Sequence, residues 1–196
     1  MSGFTTGLLG TACRLELASG ERIELPIARW HADPDRADTL LLDRCDGPTL
    51  DVGCGPGRLT AALAVGLGVD VSPVAVALTR ARGGAALRRD VYERIPGEGR
   101  WRHALLADGN IGIGGDPVRL LRRVARLLAS GGSVLVETDR PGIGLRPTRA
   151  RVDDGAWFDW ALVGADSVPD AAASAGLDVR WMGAHDGRWF AELVRP

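Results

Sequence analysis

Hydrophobic positions change period repeatedly along the chain, and the changes mark out strands and helices. Residues 13–17 and 21–25 alternate apolar and polar side chains on either side of Ala18-Ser19-Gly20, which predicts a small hairpin. Asp33-Pro34 then offers an N-cap and a first-turn proline, so a helix is expected from about Pro34 to Cys45, with Leu40, Leu41 and Leu42 on its apolar side. Gly47-Pro48 stops it. Short apolar runs, the kind buried in a parallel sheet, follow at 49–52, 68–71, 85–91, 102–107 and 133–138. Between them lie an amphipathic run from Leu59 to Val65, a stretch capped by Ser72-Pro73 and closed by Gly83, and one capped by Asp116-Pro117. The last carries Val118, Leu121, Val124 and Leu128 on one face, as a core-facing helix does. Past a glycine- and proline-marked loop at 139–147, residues 149–152 and 156–161 can pair around Asp153-Asp154-Gly155. A helix at 168–175 ended by Gly176 and a hairpin of 179–184 with 188–194 complete the pattern. Strands alternating with helices predict an α/β fold with a doubly wound, mostly parallel sheet.

At 196 residues, with 45% hydrophobic and 25% charged positions, the chain suits one domain with a full core. No repeat or linker divides it. The net charge of −1 leaves no electrostatic footprint for nucleic acid. All the basic residues are arginine, which removes Schiff-base and P-loop lysines from consideration and suggests a GC-rich bacterial genome. Cys13, Cys45 and Cys54 are odd in number and widely spaced, so neither a disulfide framework nor a metal site is suggested. With no leader-like N-terminus and no apolar run near eighteen residues, a cytoplasmic protein with no membrane contact is expected.

The candidate chemistry starts at Asp51-Val52-Gly53-Cys54-Gly55-Pro56-Gly57-Arg58. An apolar strand ending in an acid breaks into three alternate glycines at the strand's carboxyl end, where open α/β sheets bind ligands. Glycine lets the backbone turn and a ligand approach without a Cβ in the way. A dinucleotide fingerprint would need glycine at position 58, which is Arg58. Asp70 lies 19 residues beyond Asp51, near the spacing at which an acid takes hydrogen bonds from ribose hydroxyls. A second loop, Asp108-Gly109-Asn110-Ile111-Gly112-Ile113-Gly114-Gly115, holds four glycines, two isoleucines read as exposed, and the chain's lone asparagine. Its composition suggests a close-packed ligand or a moving lid.

The form D-x-G-x-G-x-G resembles motif I of the class I S-adenosylmethionine (SAM)-dependent methyltransferases, and the order of elements around it is similar to theirs over residues 48–138 and 166–195. The resemblance implies a Rossmann-like seven-stranded sheet of order 3-2-1-4-5-7-6 with the last strand antiparallel, residues 48–196 forming the core and 1–47 a cover segment. It implies SAM as cofactor, held by Asp51, Gly53, Cys54, Gly55 and Gly57, by Asp70 for the ribose, by Val71, Asp90 and Val91 for adenine, and by Ala107 and Asp108. Trp30 and His31 become candidates for a substrate wall, and Asp108, Asn110 and His31 for catalysis. His103 and His185 read as packing and turn residues. Trp157, Phe158 and Trp160 either shape a pocket or pack the core. The connection from Leu63 to Val69 is shorter than the family's and puts the ribose assignment in question. The loop at 108–110 is not the N/D-P-P-Y type of nucleobase and glutamine methylation. With the near-neutral charge, that favours a small-molecule methyl acceptor and a monomer or homodimer. Two alternatives stay open: a non-catalytic SAM-fold module, and a fold relative doing aminopropyl transfer or NAD-dependent redox.

Overall fold

The computed structural model describes residues 4–196. In chain order the elements are α1 (Thr5–Leu8), β1 (Arg14–Leu17), β2 (Arg22–Glu24), α2 (Ile27–His31), α3 (Arg36–Leu42), β3 (Thr49–Val52), β4 (Gly66–Asp70), α4 (Pro73–Ala81), β5 (Ala86–Arg88) and β6 (Trp101–Leu106). There follow α5 (Pro117–Leu127), β7 (Leu128–Thr138), β8 (Leu145–Val152), β9 (Phe158–Val163), α6 (Val168–Ala175), β10 (Asp178–His185) and β11 (Arg188–Val194). Seven strands form the main sheet in the order β10-β11-β7-β6-β3-β4-β5. Its five-strand centre is parallel, and β11 joins β7 antiparallel. Counted within the core, that is the expected 3-2-1-4-5-7-6.

Alternation along each strand sends side chains to opposite faces. Ala104, Leu106, Val134 and Val136 meet Leu120, Leu121, Val124 and Leu127 of α5 and Val168, Ala171 and Ala172 of α6. Leu105, Leu135 and Phe190 point the other way, onto Ala37 and Leu41 of α3. Asp116 caps α5 by accepting from the Arg119 N–H at 2.9 Å, and Ser72 caps α4. Both helices therefore start where the sequence signals them.

Five local expectations change. The helix after the first glycine loop is reduced to a single 3-10 turn, Thr60–Ala62. β4 begins at Gly66, two residues earlier than the apolar run suggested, and takes the chain length an α-helix would have used. α3 starts at Arg36 rather than Pro34. Asp35 and Asp38 form a reciprocal capping box, each carboxylate accepting from the other's N–H at 2.9 Å, and this outcompetes the Asp33-Pro34 signal. β5 covers only Ala86–Arg88, because Asp90 turns the chain by accepting from the Tyr92 N–H. Finally, the strand expected at 133–138 begins earlier: β7 runs back through Ser130-Gly131-Gly132 to Leu128.

A second sheet went unforeseen. β8 and β9 pair as expected around residues 153–155, but β8 also pairs with β1, giving a four-stranded sheet β2-β1-β8-β9. Leu15, Leu17, Ala150, Val152 and Leu162 form its buried face, with Phe4, Trp30, Phe158 and Trp160 packed alongside. This sheet lies over the carboxyl ends of the parallel strands and roofs a cavity there. Among the described residues, no helix is long and apolar enough to cross a membrane.

Candidate active site

The cavity has a volume of about 780 Å³, within the usual range for small-molecule sites. Its floor is the first glycine loop, and the three glycines there do different work. A Cβ on Gly53 would stand 2.7 Å from the Asn110 Nδ2, and one on Gly57 would stand 2.7 Å from the Thr79 Cα. Both positions are filled by the protein itself. Gly55, at φ +54°, has only Leu8 within reach, at 4.0 Å, and faces the cavity. Gly57 does not line the cavity. It lets the loop lie on α4, and its expected contact with a cofactor becomes a packing role.

The acids at the strand ends are placed by backbone donors. Asp70 accepts from the Gly55 N–H at 3.1 Å and the Ser72 N–H at 2.8 Å, one on each oxygen. Burial pushes its pKa up against those two bonds. Asp51 is fully buried beneath the loop and accepts from the Thr60 hydroxyl at 2.6 Å; burial raises its pKa to about 6. Val71, Asp90, Val91 and Ala107 line the cavity beside them, and Val71 is half exposed, an apolar patch at the rim. Cys54 lines the floor, its thiol against the Thr79 hydroxyl, and burial holds it protonated.

Asp108 is held in a ring of charges rather than standing free. Arg58 donates to both Asp38 and Asp108, the latter at 2.7 Å. Arg188 reaches the other Asp38 oxygen at 2.8 Å and grips Glu137 with two donors, at 2.7 and 2.9 Å. Glu137 accepts from the Asp108 N–H at 2.9 Å, which closes the ring. Arg29 from α2 then binds the second Asp108 oxygen at 2.5 Å, and Asp35 binds Arg188 from outside. The ring joins the glycine loop, α3, β6, β7 and β11 at one point. Asp108 itself sits at φ +53°, a left-handed conformation that aspartate tolerates. Both of its oxygens are engaged by guanidinium groups. Arg58 and Glu137 were missed as site residues; the signals were a charge inside an apolar helix start and an acid ending an apolar strand.

Asn110 donates its amide to the Val52 and Gly53 carbonyls, both at 3.0 Å, and so braces the first loop from the second. Two of the four glycines of the second loop, Gly112 and Gly115, answer to β9, whereas Gly109 and Gly114 line the cavity. A Cβ on Gly112 would run into the Ala161 carbonyl, and one on Gly115 would meet Asp159 at 3.1 Å. Ile111 is buried and Ile113 half-buried, contrary to the exposed reading. His31 lies outside the cavity lining, its Nε2 3.2 Å from the Gly7 carbonyl, whereas its neighbours Arg29 and Trp30 line it. His103 is packed between Ser133 and Asp46.

A doubly wound sheet with a glycine loop and a roofed cavity at the carboxyl ends of its strands frames the site. Residues 49–132 match the family model described as a methyltransferase domain. The fold is that of the Rossmann-like SAM-dependent methyltransferases. Among solved structures, a SAM-dependent methyltransferase from Bacteroides fragilis, in complex with S-adenosylhomocysteine, superposes with a TM-score of 0.76 at 22% identity, over 94% of this chain and 88% of that one. The glycopeptide N-methyltransferase MtfA, complexed with SAM, gives 0.63 at 17% identity over 85% and 91%. An uncharacterized protein of Mycobacterium bovis is 34% identical over 89 residues, 45% of this chain. The match spans about a third of that relative's length.

Proposed function

We propose that this protein is an enzyme that transfers the methyl group of SAM to a small-molecule acceptor, as one domain in which residues 1–47 cover the core. Gly55 carries this reading. It is the one motif glycine whose Cβ position opens on the cavity, so the backbone there is shaped for a ligand and not for the fold. The half-exposed Val71 offers an apolar surface for an adenine, and each Asp70 oxygen, with one backbone donor, retains capacity for a ribose hydroxyl. Asp90 at the same edge is placed for the adenine amino group. Asp51 supplies a buried negative charge toward a cationic ligand.

SAM, when bound, supplies a methyl already activated on a sulfonium. The protein's task is to position the acceptor in line and keep water out, effects worth several kcal/mol, roughly 7–11 at most. The roof formed by β1, β2, β8 and β9 closes the site. Asn110 braces the floor, and the charge ring holds Asp108 and the loop in register. A roofed cavity of this size favours a small acceptor, and we place the enzyme in the cytoplasm of a bacterium, as a monomer or homodimer. The test is incubation of the protein with methyl-labelled SAM and fractionated bacterial metabolites. Label should move into low-mass products with wild type and not with Gly55→Val. Label found only in protein or nucleic acid would overturn the small-molecule assignment.

A further inference from the structure

The roof holds an aromatic concentration that methyl transfer as such does not require. The chain has six tryptophans, three phenylalanines and one tyrosine. More than half of them line this cavity: Phe4, Trp30, Tyr92, Trp157, Phe158 and Trp160. Four form a connected cluster. Phe4 stands 5.5 Å from Phe158, 6.2 Å from Trp30 and 6.3 Å from Trp160, and Phe158 meets Trp160 edge-on at 6.1 Å. All four are only partly buried, so ring surface remains toward the cavity. All four come from segments that do not build the parallel core, namely the N-terminal cover and β9.

The acids that line the cavity differ in how far they are paired. Asp108 and Glu137 are tied to arginines. Asp139, just past the end of β7, lines the same cavity and accepts from the Val163 N–H at 3.0 Å through Oδ2, while Oδ1 has no hydrogen-bond partner among the described residues. Burial raises its pKa, which makes it readier to take a proton than a surface aspartate.

We propose that the acceptor is an aromatic molecule bearing an O–H or N–H nucleophile, its ring held against Phe4, Trp30, Phe158 and Trp160 and the hydrogen of that O–H or N–H donated to Asp139. The inference rests on the methyl-transfer reading and names its substrate class. In the step, the acceptor heteroatom forms the new bond to carbon as the sulfur–methyl bond breaks; sulfur keeps that electron pair, and the acceptor's proton passes to the Asp139 carboxylate and then to solvent. Offset and edge-to-face ring contacts favour an aromatic ring over a saturated one beyond their area alone.

The experiment is calorimetric titration of the protein, loaded with S-adenosylhomocysteine, with phenol, catechol and aniline, and with cyclohexanol, cyclohexane-1,2-diol and cyclohexylamine as their saturated counterparts. At least one aromatic probe should bind about tenfold more tightly than its saturated counterpart. Trp160→Leu should reduce that preference to about threefold or less, with S-adenosylhomocysteine affinity unchanged as the check on folding. Asp139→Asn should keep ring binding and lower the rate of methyl transfer to a bound probe by at least about tenfold. Equal binding of saturated and aromatic probes, or no aromatic binding at millimolar concentration, overturns the inference. Failure of S-adenosylhomocysteine itself to bind overturns the methyl-transfer reading instead.

Discussion

Replacing Arg58 with methionine tests whether the charge ring holds the site together. Arg58 is almost fully buried and bridges Asp38, which has no solvent exposure, to Asp108. The ring and its outer partners comprise the carboxylates of Asp35, Asp38, Asp108 and Glu137 against the guanidinium groups of Arg29, Arg58 and Arg188. Removing one partner of a buried pair costs about 3–5 kcal/mol. Here Asp38 keeps Arg188 and Asp108 keeps Arg29, so the lower end, about 3 kcal/mol, is expected. For a chain of this size that lowers Tm by roughly 6–12 °C. The pH dependence gives a second check. Burial pushes the Asp38 pKa up, but the bonds from Arg58 and Arg188 outweigh it and hold the pKa below its ordinary value. Its contribution is therefore present above the unfolded pKa and lost as pH falls through the folded one. Without Arg58 the balance tips toward burial and the Asp38 pKa rises. The variant's deficit should then be largest near pH 7 and shrink toward about pH 4. Urea unfolding followed by tryptophan fluorescence at both pH values measures this. A loss under about 1 kcal/mol, or one that does not change with pH, would refute the ring as a structural unit.

Gly55→Ala should abolish most SAM affinity at modest cost in stability, while Gly57→Ala, whose Cβ meets the Thr79 backbone, should destabilise the fold first; reversed effects in calorimetry and thermal melts would undo the division between the two glycines. Asp70→Ala should weaken SAM binding by about 1–3 kcal/mol through lost charged hydrogen bonds, and a change under a few tenths would mean that the short connection before β4 has moved this acid away from the ribose. Asp51 gives a pH signature in binding. Its raised folded pKa means it is protonated below about pH 6 in the free protein, and a cationic ligand must then expel the proton. SAM affinity should fall by up to about tenfold per pH unit below that value, and a flat profile between pH 5 and 7 would place the sulfonium and ammonium elsewhere.

The parallel core was legible because its signals are local. Asp51, Asp70 and the capped helices at Ser72 and Asp116 each announce themselves within a few residues, and the antiparallel final strand follows from the tight turn at Asp186-Gly187. The second sheet was not legible, because β1 and β8 are separated by more than a hundred residues and no local pattern tells a hairpin what it will pair with. The same distance hid the purpose of Gly112 and Gly115. Their need for a missing Cβ comes from β9, so a loop that reads as mobile in sequence is in fact packed. Arg58 read only as the residue that spoils a dinucleotide fingerprint; its partners Asp38 and Asp108 lie in segments before and after it, and only the fold brings them together. Asp139 stayed hidden in a proline- and glycine-marked stretch with no periodicity to set it apart.

Calorimetric titration of the purified protein with SAM, S-adenosylhomocysteine and NAD tests the central claim most directly. Micromolar binding of the first two, lost in Gly55→Val, and no binding of NAD are expected, since Arg58 stands where the dinucleotide fingerprint needs glycine. Binding of NAD in their place, or of none of the three, would contradict it.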